Sequence, residues 1–140
     1  MVPYIDSNII VYAYNNADHK KHAISVSLLR PIWKEQKTFA TSLQSLGEFF
    51  SVITRKVEKP MDRKTAQIII MDMMVFPSWS ILSYNEKTVM MALNIADNFN
   101  MPYWDSLIAA TMTENDISTI YTENIKDFKV PWIKVINPFK

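Results

Sequence analysis

The chain contains no cysteine. That excludes a disulfide framework and a thiolate metal site, and it fits the reducing cytoplasm, where this protein is expected to reside. Glycine is nearly absent as well, with Gly47 the one example. So few glycines supply few tight primed turns, which argues against an all-β meander. Neither sign of charge dominates: 15 Lys and Arg stand against 14 Asp and Glu, a formal net charge of +1. Sheer positive potential therefore does not hold nucleic acid here, and such a substrate needs a local patch, a metal or a partner chain. The candidate basic groups are Lys20, Lys21, Arg55, Lys56, Lys59, Arg63 and Lys64, each of which also reads as part of a solvated helix face. No apolar run approaches the roughly 20 residues of a membrane span. The opening residues, Met1 to Asn8, carry no basic leader and place an acid at position 6, unlike a signal peptide. A soluble, unprocessed protein that does not engage a membrane is expected. The glycine pattern of a phosphate loop or dinucleotide site is missing, as is the G-x-S-x-G nucleophile elbow.

What is present has ordinary globular balance, with 49% hydrophobic and 21% charged residues. At 140 residues the chain fits one domain, residues 1–140, large enough to bury a core without staples. Short apolar runs alternate with longer helical stretches, the trace of an α/β domain with a parallel sheet. Strands are predicted at Val2–Ile5, Thr38–Thr41, Trp79–Leu82, Thr119–Thr122 and Ile133–Ile136. A helix follows Asp6 and ends at Asn15 and Asn16, and a second runs from about Lys20 to Lys34. Ser42 is a good N-cap for a helix reaching about Val57, and Asp62 for one reaching about Val75. Further helices run from Asn85 or Glu86 to Phe99 and from Trp104 to Thr113. Right-handed crossovers would place helices on both faces of the sheet.

In open parallel sheets, sites form at the carboxyl ends of the strands. Asp6 lies directly after the first apolar run, where a buried carboxylate must be paired or coordinated. It also suits a helix cap, although Ser7 and Asn8 could cap in its place and free it. Asp105 opens a largely apolar helix, where a cap and a metal role can coexist because its two oxygens can serve different partners. Glu48 lies inside a helix beside Gly47, whose presence there costs about 1 kcal/mol relative to alanine and suggests a close neighbour or simple helix packing. Thr122, Glu123, Asn124 and Asp127 follow the fourth strand, a natural site position and also an ordinary polar loop. Carboxylates without cysteine suit hard cations such as Mg²⁺ or Mn²⁺ over Zn²⁺. Phosphodiester hydrolysis is the natural reaction for such a group. His19 and His22 could share a helix face as ligands, but surface positions near a helix start describe them better. The nine methionines read as core filler.

Four segments, in order, resemble the PIN-domain nucleases and, within them, the VapC-like toxins of toxin–antitoxin pairs. Asp6-Ser7-Asn8 followed by Tyr12 resembles D-T/S-N-x-x-x-Y. Ser42, Gln44, Glu48 and Phe49 resemble S-x-Q-x-x-x-E-F. Pro102 to Thr111 resembles P-x-x-D-A/S-L-I-A-A-T. Thr122 to Phe128 and Val135 to Phe139 resemble the closing T-x-D/N-x-x-D-F and V-I-N-P-F. The resemblance runs nearly end to end. It implies a three-layer α/β/α sandwich with a five-stranded parallel sheet, and Mg²⁺- or Mn²⁺-dependent cleavage of RNA. It implies an acidic pocket of Asp6, Glu48 and Asp105, a homodimer and an antitoxin partner. The family's fourth acidic position falls on Asn124, which carries no charge, so one firm metal is expected, held by Asp6 and Asp105. Glu123 and Asp127 are the acids that could compensate. A non-catalytic RNA- or protein-binding module and a metal-dependent phosphatase are the competing readings.

Overall fold

Pro3 decides where the sheet begins. Proline has no N–H for a ladder, so the predicted strand from Val2 is trimmed to Tyr4–Ile5 (β1), although the Pro3 carbonyl still accepts from the Ala40 N–H at 2.8 Å. The computed structural model describes residues 1–140. After β1 come Ser7–Tyr14 (α1) and His19–Trp33 (α2), then Phe39–Ser42 (β2). Leu43–Arg55 (α3) and Arg63–Val75 (α4) lead to Trp79–Leu82 (β3). Glu86–Phe99 (α5) and Tyr103–Glu114 (α6) lead to Thr119–Tyr121 (β4). A 3₁₀ turn at Ile125–Asp127, which no sequence signal announced, precedes Lys134–Ile136 (β5). The polar loop that Thr122 to Asp127 was expected to form is thus partly helical.

All five strands pair in parallel, in the order β3-β2-β1-β4-β5. Alternate side chains of a strand face opposite sides of the sheet, and here they feed two separate cores. Tyr4, Ala40, Leu82 and Ile120 join α5 and α6 in one. Ile5, Phe39 and Trp79 join α1 to α4 in the other. The result is the three-layer α/β/α sandwich expected from the sequence. From β1 the chain steps outward through β2 to β3 with its helices on one face. It then returns past β1 to β4 with α5 and α6 on the other face. The sheet therefore reverses direction between β1 and β4, which is where open α/β sheets form a crevice at the strands' carboxyl ends.

Three buried hydroxyls fix α3 against this point. Ser42 ends β2 and caps α3, its Oγ accepting from the Ser45 N–H at 3.2 Å. The Tyr4 hydroxyl, buried under β1, lies 2.6 Å from both Ser42 Oγ and Ser45 Oγ. The helix thus starts at Ser42, as predicted, and its register relative to β1 is set by a three-hydroxyl cluster with no exposure to spare. Each such buried bond contributes about 1 kcal/mol, and the cluster fixes where Glu48 lies two turns on.

Gly47 departs from expectation. No neighbour presses on it, since a Cβ built there would meet nothing within 4 Å. Neither packing nor a special backbone angle explains a glycine in mid-helix. Gly47→Ala is accordingly expected to raise stability by roughly 1 kcal/mol, read as a higher urea midpoint at unchanged slope. A loss of stability would mean that the open space around Gly47 is filled.

Candidate active site

Asp6 sits at the tip of β1 with 5% of its surface exposed. It is the N-cap of α1: Oδ1 accepts the Ser7 N–H at 2.7 Å. The expectation that Ser7 and Asn8 would release Asp6 from capping is therefore corrected, because the short side chain at the strand tip is the one that reaches the first free N–H. Oδ2 accepts from the Thr122 hydroxyl at 2.7 Å and from the Asn8 amide at 3.3 Å. Asn8 also donates to Thr122 Oγ1 at 3.2 Å and accepts from the Glu123 N–H at 3.2 Å. Thr122 stands just past β4, fully buried. These bonds stitch β1 to β4 at the point where the sheet reverses. Thr122 and Asn8 were visible in the sequence as polar loop or cap residues, but their joint grip on one carboxylate follows only from the pairing of β1 with β4.

Three carboxylates from different elements feel one another's charge across the crevice. Burial raises the Asp6 pKa, against the lowering effect of its Thr122 and Ser7 bonds. Glu48, on the exposed side of α3, is pushed from an ordinary 4.5 up to about 7. Lost hydration of its carboxyl is the main cause, followed by the Asp6 charge and, more weakly, that of Asp105, while the Gln44 amide pulls the other way. Asp105 lies in the first turn of α6, where Pro102 is the N-cap and no side chain makes a capping bond. The cap reading of Asp105 is thereby removed. Its pKa is raised from 3.8 to about 6 by burial, then by the charges of Asp6 and Asp127. α3 belongs to one helical layer and α6 to the other, so only the reversal of the sheet lets Glu48 and Asp105 face the same aspartate.

The acids after β4 divide. Glu123 is taken up elsewhere: it is ion-paired with Lys21 and accepts from the Tyr12 hydroxyl at 2.7 Å. Its burial would raise its pKa, but the Lys21 and Tyr12 bonds outweigh that and hold it low. Asp127, in the 3₁₀ turn, is the acid whose charge reaches Asp105. Asn124 is half-buried and joins the site through its backbone, its N–H donating to Thr122 Oγ1 at 3.0 Å. His19 is exposed, and His22 Nδ1 lies 2.8 Å from the Tyr12 carbonyl.

No three acidic or histidine side chains converge closely enough to cage an ion among them. That corrects the picture of three or four carboxylates closing on a metal, and like charges in a part-buried crevice give the reason. The donor set nevertheless fits Mg²⁺ or Mn²⁺. Mg²⁺ keeps several waters and takes one or two protein carboxylates, and a dication would offset the burial that raises these three pKa values and the Asp6 charge that adds to it at Glu48 and Asp105.

The molecule is a parallel α/β/α sandwich whose sheet reversal carries an all-oxygen acidic crevice. The family model for the PIN domain matches residues 4–130, and the chain belongs to the PIN domain family. Solved structures share the fold over nearly full length. One is a chain of VapBC2 from Rickettsia felis, whose complex is bound to a DNA fragment from its promoter, at 22% identity and a TM-score of 0.66, covering 98% of each chain. Another is VapC20 from Mycobacterium tuberculosis, described as a Sarcin-Ricin loop cleaving toxin, at 15% identity and 0.68, covering 96% of this chain and 98% of that one. A third belongs to a toxin–antitoxin complex from Klebsiella pneumoniae, at 16% and 0.63, covering 97% of each. No curated protein matches the chain at a significant level. No helix is long and apolar enough to cross a membrane.

Raised carboxyl pKa values bear on stability. Glu48 and Asp105 bind protons more tightly folded than unfolded, between 4.5 and about 7 and between 3.8 and about 6. The contribution of both to stability is therefore full at low pH and is lost as pH rises through that window. In EDTA, Glu48→Gln is expected to melt above wild type at about pH 8, with the gap closing toward about pH 4. A variant that melts below wild type at about pH 8 would remove the repulsion from this account.

Proposed function

We propose that this protein is a metal-dependent endoribonuclease that hydrolyses RNA phosphodiesters, and that it serves as the toxin of a toxin–antitoxin pair. The observation that carries the reading is the meeting of Asp6, Glu48 and Asp105 at the sheet reversal of a PIN-domain fold, each with its pKa raised by burial and, for Glu48 and Asp105, by the Asp6 charge. Asp6, Glu48, Asp105 and Asn124 are the catalytic set in this reading, with Asp6 and Asp105 as ligands of one firm Mg²⁺, which Mn²⁺ can replace. When bound, that cation polarises the phosphate, acidifies a water and neutralises charge growing on the phosphodiester.

The chain's own groups supply the rest. Asp6 is held in place because three protein groups bond its carboxylate and the Asn124 N–H in turn bonds Thr122 Oγ1. Asp105 has no capping bond to give up and can turn toward the same point. Glu48 is the carboxylate left to orient the attacking water and accept its proton as oxygen bonds to phosphorus and the P–O bond on the far side breaks. Asp127, whose charge reaches Asp105, is the acid that stands in for the charge Asn124 lacks. The Sarcin-Ricin loop cleavage in the description of VapC20 supports the nuclease reading, and the toxin–antitoxin complexes among the neighbours support a protein antitoxin. A homodimer working in the cytoplasm completes the proposal.

Purified wild type is expected to cut structured RNA in Mg²⁺ or Mn²⁺ and to stop in EDTA. Asp6→Ala and Asp105→Asn should each lower the rate by roughly 100-fold or more, the scale of a lost electrostatic or proton-transfer group. Variants that cut as fast as wild type would assign the activity to a contaminant or to other residues. RNA binding with no cutting under any metal would leave only a binding module.

A further inference from the structure

Of the 15 basic and 14 acidic side chains, only Lys21 and Glu123 meet as an ion pair. The pair joins α2 to the turn after β4, and its two side chains are 31% and 32% exposed. An ion pair so open to water adds little stability by itself. Its surroundings are nevertheless closely built. The Tyr12 hydroxyl of α1 donates to the second Glu123 oxygen at 2.7 Å. Lys21 Nζ stands 5.2 Å from the centre of the Tyr12 ring and 5.6 Å from that of Phe139, within the range of a cation–π contact. The two rings meet edge to face at 5.2 Å. Asn137 Oδ1 accepts the Phe139 N–H at 2.9 Å and turns the chain so that the ring arrives there. Four segments, from α1, α2, the turn after β4 and the residues after β5, thus converge on one lysine.

Glu123 connects this cluster to the crevice through its own backbone. Its N–H donates to Asn8 Oδ1 at 3.2 Å. A carboxamide has one accepting end and one donating end, so committing Oδ1 to Glu123 turns the Asn8 amino group the other way. That group donates to Asp6 Oδ2 at 3.3 Å and to Thr122 Oγ1 at 3.2 Å. Past Thr122, whose N–H still bonds the Ile136 carbonyl at 3.0 Å, the chain leaves the sheet. The Glu123 side chain is its next anchor to another element. With the side chain pinned outward by Lys21 and Tyr12, the Glu123 backbone is held where it orients Asn8 toward Asp6.

Resting on the reading of Asp6 as a ligand of the catalytic cation, we propose that Lys21 is a positioning residue for the acidic crevice. It acts through three successive partners, the Glu123 side chain, the Glu123 N–H and the Asn8 amide, and what it sets is the orientation of Asp6 Oδ2. Tyr12 and Phe139 hold Lys21 in place by their rings. Lys21 touches neither metal nor substrate in this account. Its effect is a smaller loss of order in a ligand carboxylate that is already bonded by Ser7 and Thr122. A pair serving stability alone would have no reason to sit on the one turn whose backbone aims the partner of Asp6.

The test measures Mn²⁺ binding by electron paramagnetic resonance without RNA, and hydrogen exchange of the Asn8 side-chain amide by NMR in EDTA. Lys21→Met should weaken Mn²⁺ binding about fivefold, the scale of one part-exposed ion pair, and speed exchange of the Asn8 amide by a similar factor. Glu123→Ala should do the same, and adding Lys21→Met to it should cost nothing more. Lys21→Arg and Glu123→Gln keep a donor and an acceptor in place and should behave as wild type. Phe139→Ala should show a smaller loss in the same direction. Lys20→Met, exposed one residue away, should change neither readout. If Lys21→Met and Glu123→Ala melt lower but bind Mn²⁺ and protect Asn8 as wild type does, the pair is structural only and the proposal is overturned. RNA cutting by wild type in that case leaves the nuclease reading standing. If Lys21→Met instead gains a second Mn²⁺ site, Glu123 is a restrained ligand and not an anchor, and the proposal also fails. If wild type binds no Mn²⁺ and cuts no RNA, both readings fall.

Discussion

Everything in this molecule's crevice depends on one buried carboxylate. Asp6 stands at the end of β1 with almost no exposure. A charge there is costly unless it is bonded, and the chain bonds it from both sides of the sheet reversal. The Ser7 N–H comes from α1, and the Thr122 hydroxyl comes from just past β4, 116 residues beyond Asp6. The same bonds that make the charge tolerable tie the two strands whose separation would otherwise open the site. The remaining acids are then arranged around a charge that cannot move away.

That arrangement explains why the helices start where they do. α3 has to leave β2 at Ser42 with its first turn locked to the Tyr4 hydroxyl, because this register carries Glu48 into the field of Asp6. α6 opens at Pro102 without a side-chain cap, which leaves Asp105 free for the crevice. Lys21 draws Glu123 out of the site. The acids that remain are raised in pKa by burial first and then by the Asp6 charge, as Glu48 and Asp105 show.

Much of this was legible in the sequence. The alternation of short apolar runs with amphipathic stretches set the α/β/α architecture, and Ser42, Asp62 and Asn85 do cap their helices. Asp6, Glu48 and Asp105 stood out because each acid sits beside strongly apolar neighbours. What the sequence could not display was partnership across distance. Glu123 and Asp127 look alike in a polar loop, and only the fold sends one to Lys21 and the other toward Asp105. The openness beside Gly47 was hidden for a related reason: a glycine in mid-helix reads the same whether a neighbour presses on it or nothing does.

The central claim is that Asp6 and Asp105 share one divalent cation in this crevice. Mn²⁺ titration followed by electron paramagnetic resonance tests it without any substrate. Wild type should show a single firm site, abolished in Asp6→Asn and in Asp105→Asn and unchanged in Glu123→Gln. Two tight equivalent sites, or Mn²⁺ binding that both aspartate variants retain, would contradict the account.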